Sequence, residues 1–285
     1  MTDGAPRPRW SYSALNQIAN ICALQYRFQR IDKLEPEHTA QALLYGSSVH
    51  QAASWLYRLR KEGARIQTAE IQEIFAESMK RNAAEAGRVQ YDEGDSLDSL
   101  VREGRELLGL LVESQPEDEV IVDVDVPFEI PIRHSSGAVL DKPLVGELDL
   151  VVGTRGESAV RVKDLKTSKR RYPLEKLAAD LQATAYVYAL RELYPEKASP
   201  SFAWDVLIKL KSPIMERYDT TRGPDDFDRV FRLAQTADKL IETGAFLPNR
   251  SSFFCKSCPF QSACDRWHRA ETTTVSLPQH TTQVG

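Results

Sequence analysis

Two short β-type runs carry acidic residues and a lysine at a spacing suited to holding one metal ion. The first, residues 143–152, contains Gly146-Glu147-Leu148-Asp149. The second, residues 159–167, contains Asp164-Leu165-Lys166, and Gly153 and Gly156 mark a turn between them. The pattern predicts a β-hairpin. With Val152 opposite Val160, Asp149 and Asp164 fall at nearly the same level of the ladder, and the two-residue period puts Lys166 on the face of Asp164. Two adjacent carboxylates repel each other unless a cation sits between them. The arrangement therefore asks for a hard metal with oxygen ligands, such as Mg²⁺ or Mn²⁺. Glu147 shares the face of Asp149 by the same period and is a candidate accessory ligand, a solvated strand position being its plainer role.

A second constellation is built from cysteine. Cys255, Cys258 and Cys264 form C-x2-C-x5-C, and the fourth cysteine of the chain, Cys22, lies near the opposite end. Three clustered thiols in a reducing compartment point to metal rather than to disulfides. Four thiolates suit either Zn²⁺ or a [4Fe–4S] cluster, and the spacing leaves both open. A site joining residue 22 to residues 255–264 staples the two ends of the fold together, so metal loss is expected to loosen the whole of it.

Composition narrows the remaining classes. The 285 residues, 42% of them hydrophobic, are enough for one large domain with an elaborated insertion. A formal net charge of −4 means that any nucleic-acid contact must come from local basic clusters rather than a global field. No apolar run is long enough to span a bilayer and residues 1–10 carry no signal core, so a cytoplasmic protein is expected. There is no P-loop, so any ATP-driven motor would be a separate partner.

The chemistry-bearing residues need elements to hold them. Ser11-Tyr12-Ser13 offers a helix N-cap, and Leu15, Ile18, Ala19 and Cys22 follow at helical spacing, which puts Cys22 near a helix end. A second helix is expected from Gly46-Ser47-Ser48 through Leu59, with His50 in its first turn. Residues from about 55 to 118 read as a helical insertion. Alternating apolar residues from Val120 to Ile130 predict a strand, and Pro173 opens a helix that runs through Leu181 and Leu190 and closes before Pro195. Another strand is expected from Phe202 to Leu210, then a helix from about Asp225 to Thr243 ending at Gly244. Residues 271–285, polar and Thr-rich, are expected to form a disordered tail. This order predicts an α/β fold with a mixed central sheet. Lys163, Lys169, Arg170 and Arg171 crowd the hairpin as candidate phosphate contacts. Trp55, Tyr57 and Phe75 are candidates for base stacking, with core packing the plainer role for each.

Six pieces in order make the chain resemble the PD-(D/E)XK nuclease superfamily over about residues 11–268. They are Ser11-Tyr12-Ser13 with Cys22 and Tyr26; Gly46-Ser47-Ser48-Val49-His50; Gly146-Glu147-Leu148-Asp149; Asp164-Leu165-Lys166-Thr167; Gln182 with Tyr186; and Cys255, Cys258 and Cys264. Within that superfamily the chain looks most like the RecB-like exonucleases that carry an iron–sulfur cluster, such as AddB and the CRISPR-associated adaptation nucleases. One departure is Ala23 after Cys22, where the family often has proline. The resemblance implies a restriction-endonuclease-like mixed sheet flanked by helices, in a single nuclease domain over residues 1–270 that ends in a cysteine-cluster segment. It implies that His50, Asp149 and Asp164 ligate Mg²⁺ or Mn²⁺, with the Leu165 carbonyl a candidate further ligand, and that Lys166 positions and activates the attacking water. Gln182 and Tyr186, spaced i, i+4, would hydrogen-bond the scissile strand or orient Lys166. Cys22, Cys255, Cys258 and Cys264 would hold a 4Fe–4S cluster. The implied activity is a metal-dependent DNA exonuclease acting on single-stranded or end-accessible DNA in recombination, repair or CRISPR adaptation. It carries a 5′ to 3′ bias on single strands, and a helicase or a CRISPR integrase is the implied partner. Two other readings fit the residues: a non-catalytic DNA-end-binding subunit, against which the intact Asp149, Asp164 and Lys166 argue, and zinc in place of the cluster.

Overall fold

The computed structural model describes residues 8–156 and 158–270; the tail expected over 271–285 lies outside the described residues. In chain order the strands are β1 (Trp10–Ser11), β2 (Thr39–Ala40), β3 (Val89–Gln90), β4 (Glu119–Ile130), β5 (Leu144–Thr154), β6 (Ala159–Ser168), β7 (Ala198–Ile208) and β8 (Ile214–Thr220). The α-helices are α1 (Tyr12–Asn16), α2 (Ala23–Tyr26), α3 (Gln41–Lys61), α4 (Thr68–Ala86), α5 (Leu97–Glu113), α6 (Leu174–Ala178), α7 (Leu181–Leu193), α8 (Pro224–Thr243) and α9 (Gln261–Ala270).

Six strands form one mixed sheet, in which β6 and β7 are parallel and β7 and β8 antiparallel. β5 is its pivot. β4 runs antiparallel along one edge of β5, while the other edge is shared: β6 pairs with Leu150–Gly153, and β1 pairs parallel with Leu144 and Val145. Between those two ladders β5 and β6 part, and the fork opens at Asp149.

Strand alternation sorts the apolar residues onto two faces. Val160 and Val162 of β6 join a core with α1, α2, α7 and α8, built around Trp10, Leu148, Val151, Val187 and Phe231. Leu165 of β6 turns the other way, into a core shared with Leu56 of α3, Phe75 of α4 and Leu107 of α5. The result is a sheet between two helical layers, the restriction-endonuclease-like mixed α/β fold, and each fully buried Leu or Val adds roughly 1.5–3 kcal/mol of burial free energy.

Several local expectations are corrected. α3 starts at Gln41 rather than at Gly46, so His50 sits in its third turn. Ser48, expected near the cap, instead returns its hydroxyl to the Leu44 carbonyl at 2.9 Å, the mid-helix alternative open to serine. The single helix expected after Pro173 is two helices, because the Asp180 carboxylate caps a new start by accepting from the Gln182 and Ala183 amides at 2.7 and 3.2 Å. β8 follows β7 as a hairpin strand that the sequence pattern did not announce. The hairpin register also differs by one residue: Val152 faces Arg161, not Val160. A one-residue slip turns a strand over. The expected register would set Lys163 across from Asp149, whereas the observed one sets Asp164 there.

Candidate active site

The fork between β5 and β6 places Asp149 and Asp164 at the first level past the last ladder pair, Leu150 with Lys163. α3 lies over it and lowers His50 onto Asp149, Nδ1 to Oδ2 at 3.3 Å. On the far side Lys166 contacts both oxygens of Asp164, at 2.8 and 3.0 Å. Gln182, delivered to the first turn of α7 by the Asp180 cap, donates from Nε2 to Asp164 Oδ1 at 2.7 Å. One ligand atom each from His50, Asp149 and Asp164 lies within 4.8 Å of the others, the only such group of three among the described residues. Asp149 Oδ2 and Asp164 Oδ2 are buried and accept no well-aligned hydrogen bond, although His50 and Lys166 stand close by. Two buried carboxylate oxygens short of donors, beside an imidazole nitrogen, are a donor set that fits a divalent cation.

The electrostatics agree with that fit. Burial, with Asp149 adding to it, pushes Asp164 up to about 6 against the pull of Lys166. Burial also acts upward on Asp149, but the neighbouring His50, helped by Asp164 and Lys166, outweighs it and holds this carboxyl below the usual range. His50 rises above the ordinary imidazole value because Asp149 outweighs the opposing effect of burial. Lys166 is raised as well, since Asp164 more than offsets its desolvation. Asp164 is thus raised and Asp149 lowered, so the two carboxyls of the site are pushed apart in proton affinity.

The remaining sequence candidates divide. Leu165 buries its side chain in the α3–α5 core, leaving its backbone between Asp164 and Lys166. Tyr186 is buried among Tyr12, Phe128 and Phe202, with its phenol raised chiefly by burial. Glu147 is exposed and lines a groove with Asp149, outside the three-residue group. Lys163 is not a phosphate contact: it is fully buried, 2.7 Å from Asp205 and 2.9 Å from Glu119, on the opposite face of β6 from Asp164. Lys169 and Arg171 stay exposed but are paired with Asp92 and Glu216 at 3.2 and 2.6 Å, while Arg170 is exposed. Tyr57 and Phe75 are buried core residues and Trp55 is partly buried against the same core, the plainer role for each. Two residues near the site were given no site role from the sequence. Tyr12 is close enough to Lys166 and Asp164 for both charges to act on its raised phenol, after burial, and it packs edge-on against Tyr186. Tyr172, in the turn after β6, is likewise raised by burial and then sensitive to Lys166. The available signal was weak, an aromatic next to a serine cap and one before a proline.

Cys22 stands extended between a π-helical turn (Gln17–Ile21) and α2, and all four cysteines line one cavity of about 260 Å³ with Leu24 and Phe28. Burial and then the neighbouring thiols push up Cys258 and Cys264. The Asn249 amide donates to Cys22 Sγ at 3.4 Å.

A mixed sheet forked over His50, Asp149 and Asp164, with Lys166 beside them, makes a candidate metal site. The chain belongs to the PD-(D/E)XK nuclease superfamily, whose family model matches residues 9–265. Its fold is similar to the crystal structure of a "putative exonuclease" from Eubacterium rectale, with a TM-score of 0.53, 13% identity and 87% of each chain covered. No curated protein matches the chain.

Proposed function

We propose that this nuclease is a Mg²⁺- or Mn²⁺-dependent DNA exonuclease acting on single-stranded or end-accessible DNA, with a structural 4Fe–4S cluster. The observation that carries the reading is the convergence of His50, Asp149 and Asp164 with Lys166 and Gln182 both bound to Asp164. His50, Asp149 and Asp164 would hold the cation, with the Leu165 carbonyl as a further ligand. When bound, the cation supplies Lewis-acid polarisation of a phosphoryl oxygen and a more acidic water. Lys166, kept as an ammonium by Asp164, donates hydrogen bonds to the attacking water and to charge developing on the phosphate, and does not accept a proton. Gln182 fixes the carboxylate plane of Asp164, a positioning role rather than the direct strand contact its sequence place suggests. Tyr186 backs that arrangement from the core.

The cluster reading has its own support. All four cysteines line one cavity, and four thiolates there suit a 4Fe–4S cluster as well as zinc. Anaerobically purified protein should absorb in the visible range and contain iron; colourless protein with stoichiometric zinc would overturn the assignment.

The activity is tested on linear DNA labelled at the 5′ or the 3′ end. Cleavage should require Mg²⁺ or Mn²⁺, release short products from one end, and fall by roughly 10²–10³-fold in Lys166→Ala with the folded circular-dichroism spectrum preserved. Unchanged cleavage in that variant would sink the mechanism. Binding without cutting across several divalent metals would instead favour the DNA-end-binding subunit.

A further inference from the structure

The metal site does not end at Asp149. A groove of about 490 Å³ continues from His50 and Asp149 along α3, past Ser54 and Glu147, to Arg58 and Asp125. His50, Ser54 and Arg58 are spaced i, i+4, i+8 and so form one stripe of α3, with Arg58 ~12 Å from His50 along the helix. The sheet below mirrors the stripe. In the β4–β5 ladder Val124 pairs with Leu150 and Val126 with Leu148, so Asp125 lies across from Asp149. Asp149 meets His50, and Asp125 meets both Ser54 and Arg58, the latter with Nη2 to Oδ2 at 2.6 Å.

Asp125 holds that position at a cost. Its φ is +51°, a left-handed backbone that aspartate tolerates but does not prefer, within a strand. The carboxylate spends itself on an arginine that is 62% exposed and whose other nitrogens make no hydrogen bond among the described residues. The other cation lining the groove, Lys163, is consumed by Asp205 and Glu119. Arg58 is thus the one lining cation with donors to spare, and the groove is otherwise acidic, with Asp125, Glu147 and Asp149 on its walls. Its volume suits one nucleotide.

Resting on the nuclease reading above, we infer that this groove seats the nucleotide next to the scissile bond of a DNA strand, and that Arg58 grips the phosphate on that nucleotide's far side. Asp125 and Ser54 are positioning residues: they hold the guanidinium so that its remaining donors present to the phosphate. Lys166 acts at the scissile phosphate and Arg58 at its neighbour.

The test separates these two jobs with Arg58→Ala, Arg58→Lys, Asp125→Asn and Lys166→Ala, using a single-stranded oligonucleotide. Binding is measured in Ca²⁺ and cleavage in Mg²⁺ or Mn²⁺. Arg58→Ala is expected to weaken binding and raise KM by roughly tenfold, with kcat within about twofold of wild type, and to make the salt slope of binding shallower by about 0.7. Arg58→Lys recovers part of the affinity, Asp125→Asn loses a smaller part, and Lys166→Ala loses kcat while binding persists. A scan of neutral methylphosphonate linkages should find one position near the scissile bond that costs the wild type roughly tenfold and costs Arg58→Ala almost nothing. If the protein cuts DNA but Arg58→Ala binds, cleaves and responds to the scan as wild type does, the inference falls and the nuclease reading stands. If the wild type neither binds nor cuts DNA, both fall.

Discussion

At the scale of single residues the site is a contest for protons that a bound cation would resolve. Asp164 has a folded-state value raised to about 6, so its contribution to stability is present below the ordinary carboxylate value and is lost as pH rises through about 6. His50, also raised, acts in the same direction, losing its contribution as pH passes its raised value. Asp149, held low, contributes above its ordinary value and loses that in acid. Metal-free protein should therefore melt at a lower temperature at pH 8 than at pH 5.5, and Asp164→Asn should flatten that decline. Adding Mn²⁺ should restore stability at pH 8 far more than at pH 5.5, because the cation replaces the protons. Calorimetry with and without Mn²⁺ at the two pH values checks both; equal metal stabilisation at both would contradict the assignment of these ligands. Asp149, Asp164 and Lys166 were legible in the sequence because their spacing matched a hairpin. Tyr12 and Arg58 were not, since nothing local marks which side of a helix or cap will meet the fork.

At the scale of elements, β6 carries two chemistries on its two faces. Asp164 and Lys166 meet the site, while Lys163 enters a buried ion network with Glu119 of β4, Asp205 of β7 and Arg217 of β8. Arg217 takes both oxygens of Asp205, at 2.6 and 3.0 Å, which with Lys163 keeps that carboxyl low against burial. Removing Lys163 leaves Glu119 with only Arg217, at 4.0 Å, and Asp205 with one partner. Lys163→Ala should then lose about 3 kcal/mol in urea denaturation while leaving DNA affinity unchanged; a loss of affinity at preserved stability would return Lys163 to the role of phosphate contact. From sequence, Lys163 looked like part of a basic patch, because lysine is seldom buried. The carboxylates that make its burial tolerable come from β7 beside β6 and from β4 beyond β5, at residues 205 and 119, far off in the chain. The misplaced register has the same origin: the turn residues allow either pairing, and burial of Val160 and Val162 against α7 selects one.

At the scale of the whole molecule, the cysteine segment returns the end of the chain to its beginning. Hydrogen bonds share that work with the thiols: the Leu24 amide donates to the Leu247 carbonyl at 3.3 Å, the Glu37 amide to the Pro259 carbonyl at 2.9 Å, and the Ser262 amide to the Glu37 carboxylate at 2.9 Å. Phe28 and Phe260 add an aromatic contact. Loss of the metal, or Cys22→Ser, should therefore raise hydrogen exchange first in residues 17–38 and 246–268, with β5, β6 and β7 still protected. Uniform loss of protection across the sheet would mean that the staple carries the fold, as the spacing of the cysteines alone suggested. The sequence by itself determined the α/β class, the two carboxylates and lysine of the site, and the grouping of four thiols. Those follow from side-chain periodicity and ligand chemistry, which are local. Tertiary structure alone decided where β5 and β6 part, which face each charge takes, where α3 and α7 begin, and that Arg58 shares a groove with Asp149. Each of those depends on pairing and packing between residues distant in the chain, where the free energy of burying one face outweighs local preference.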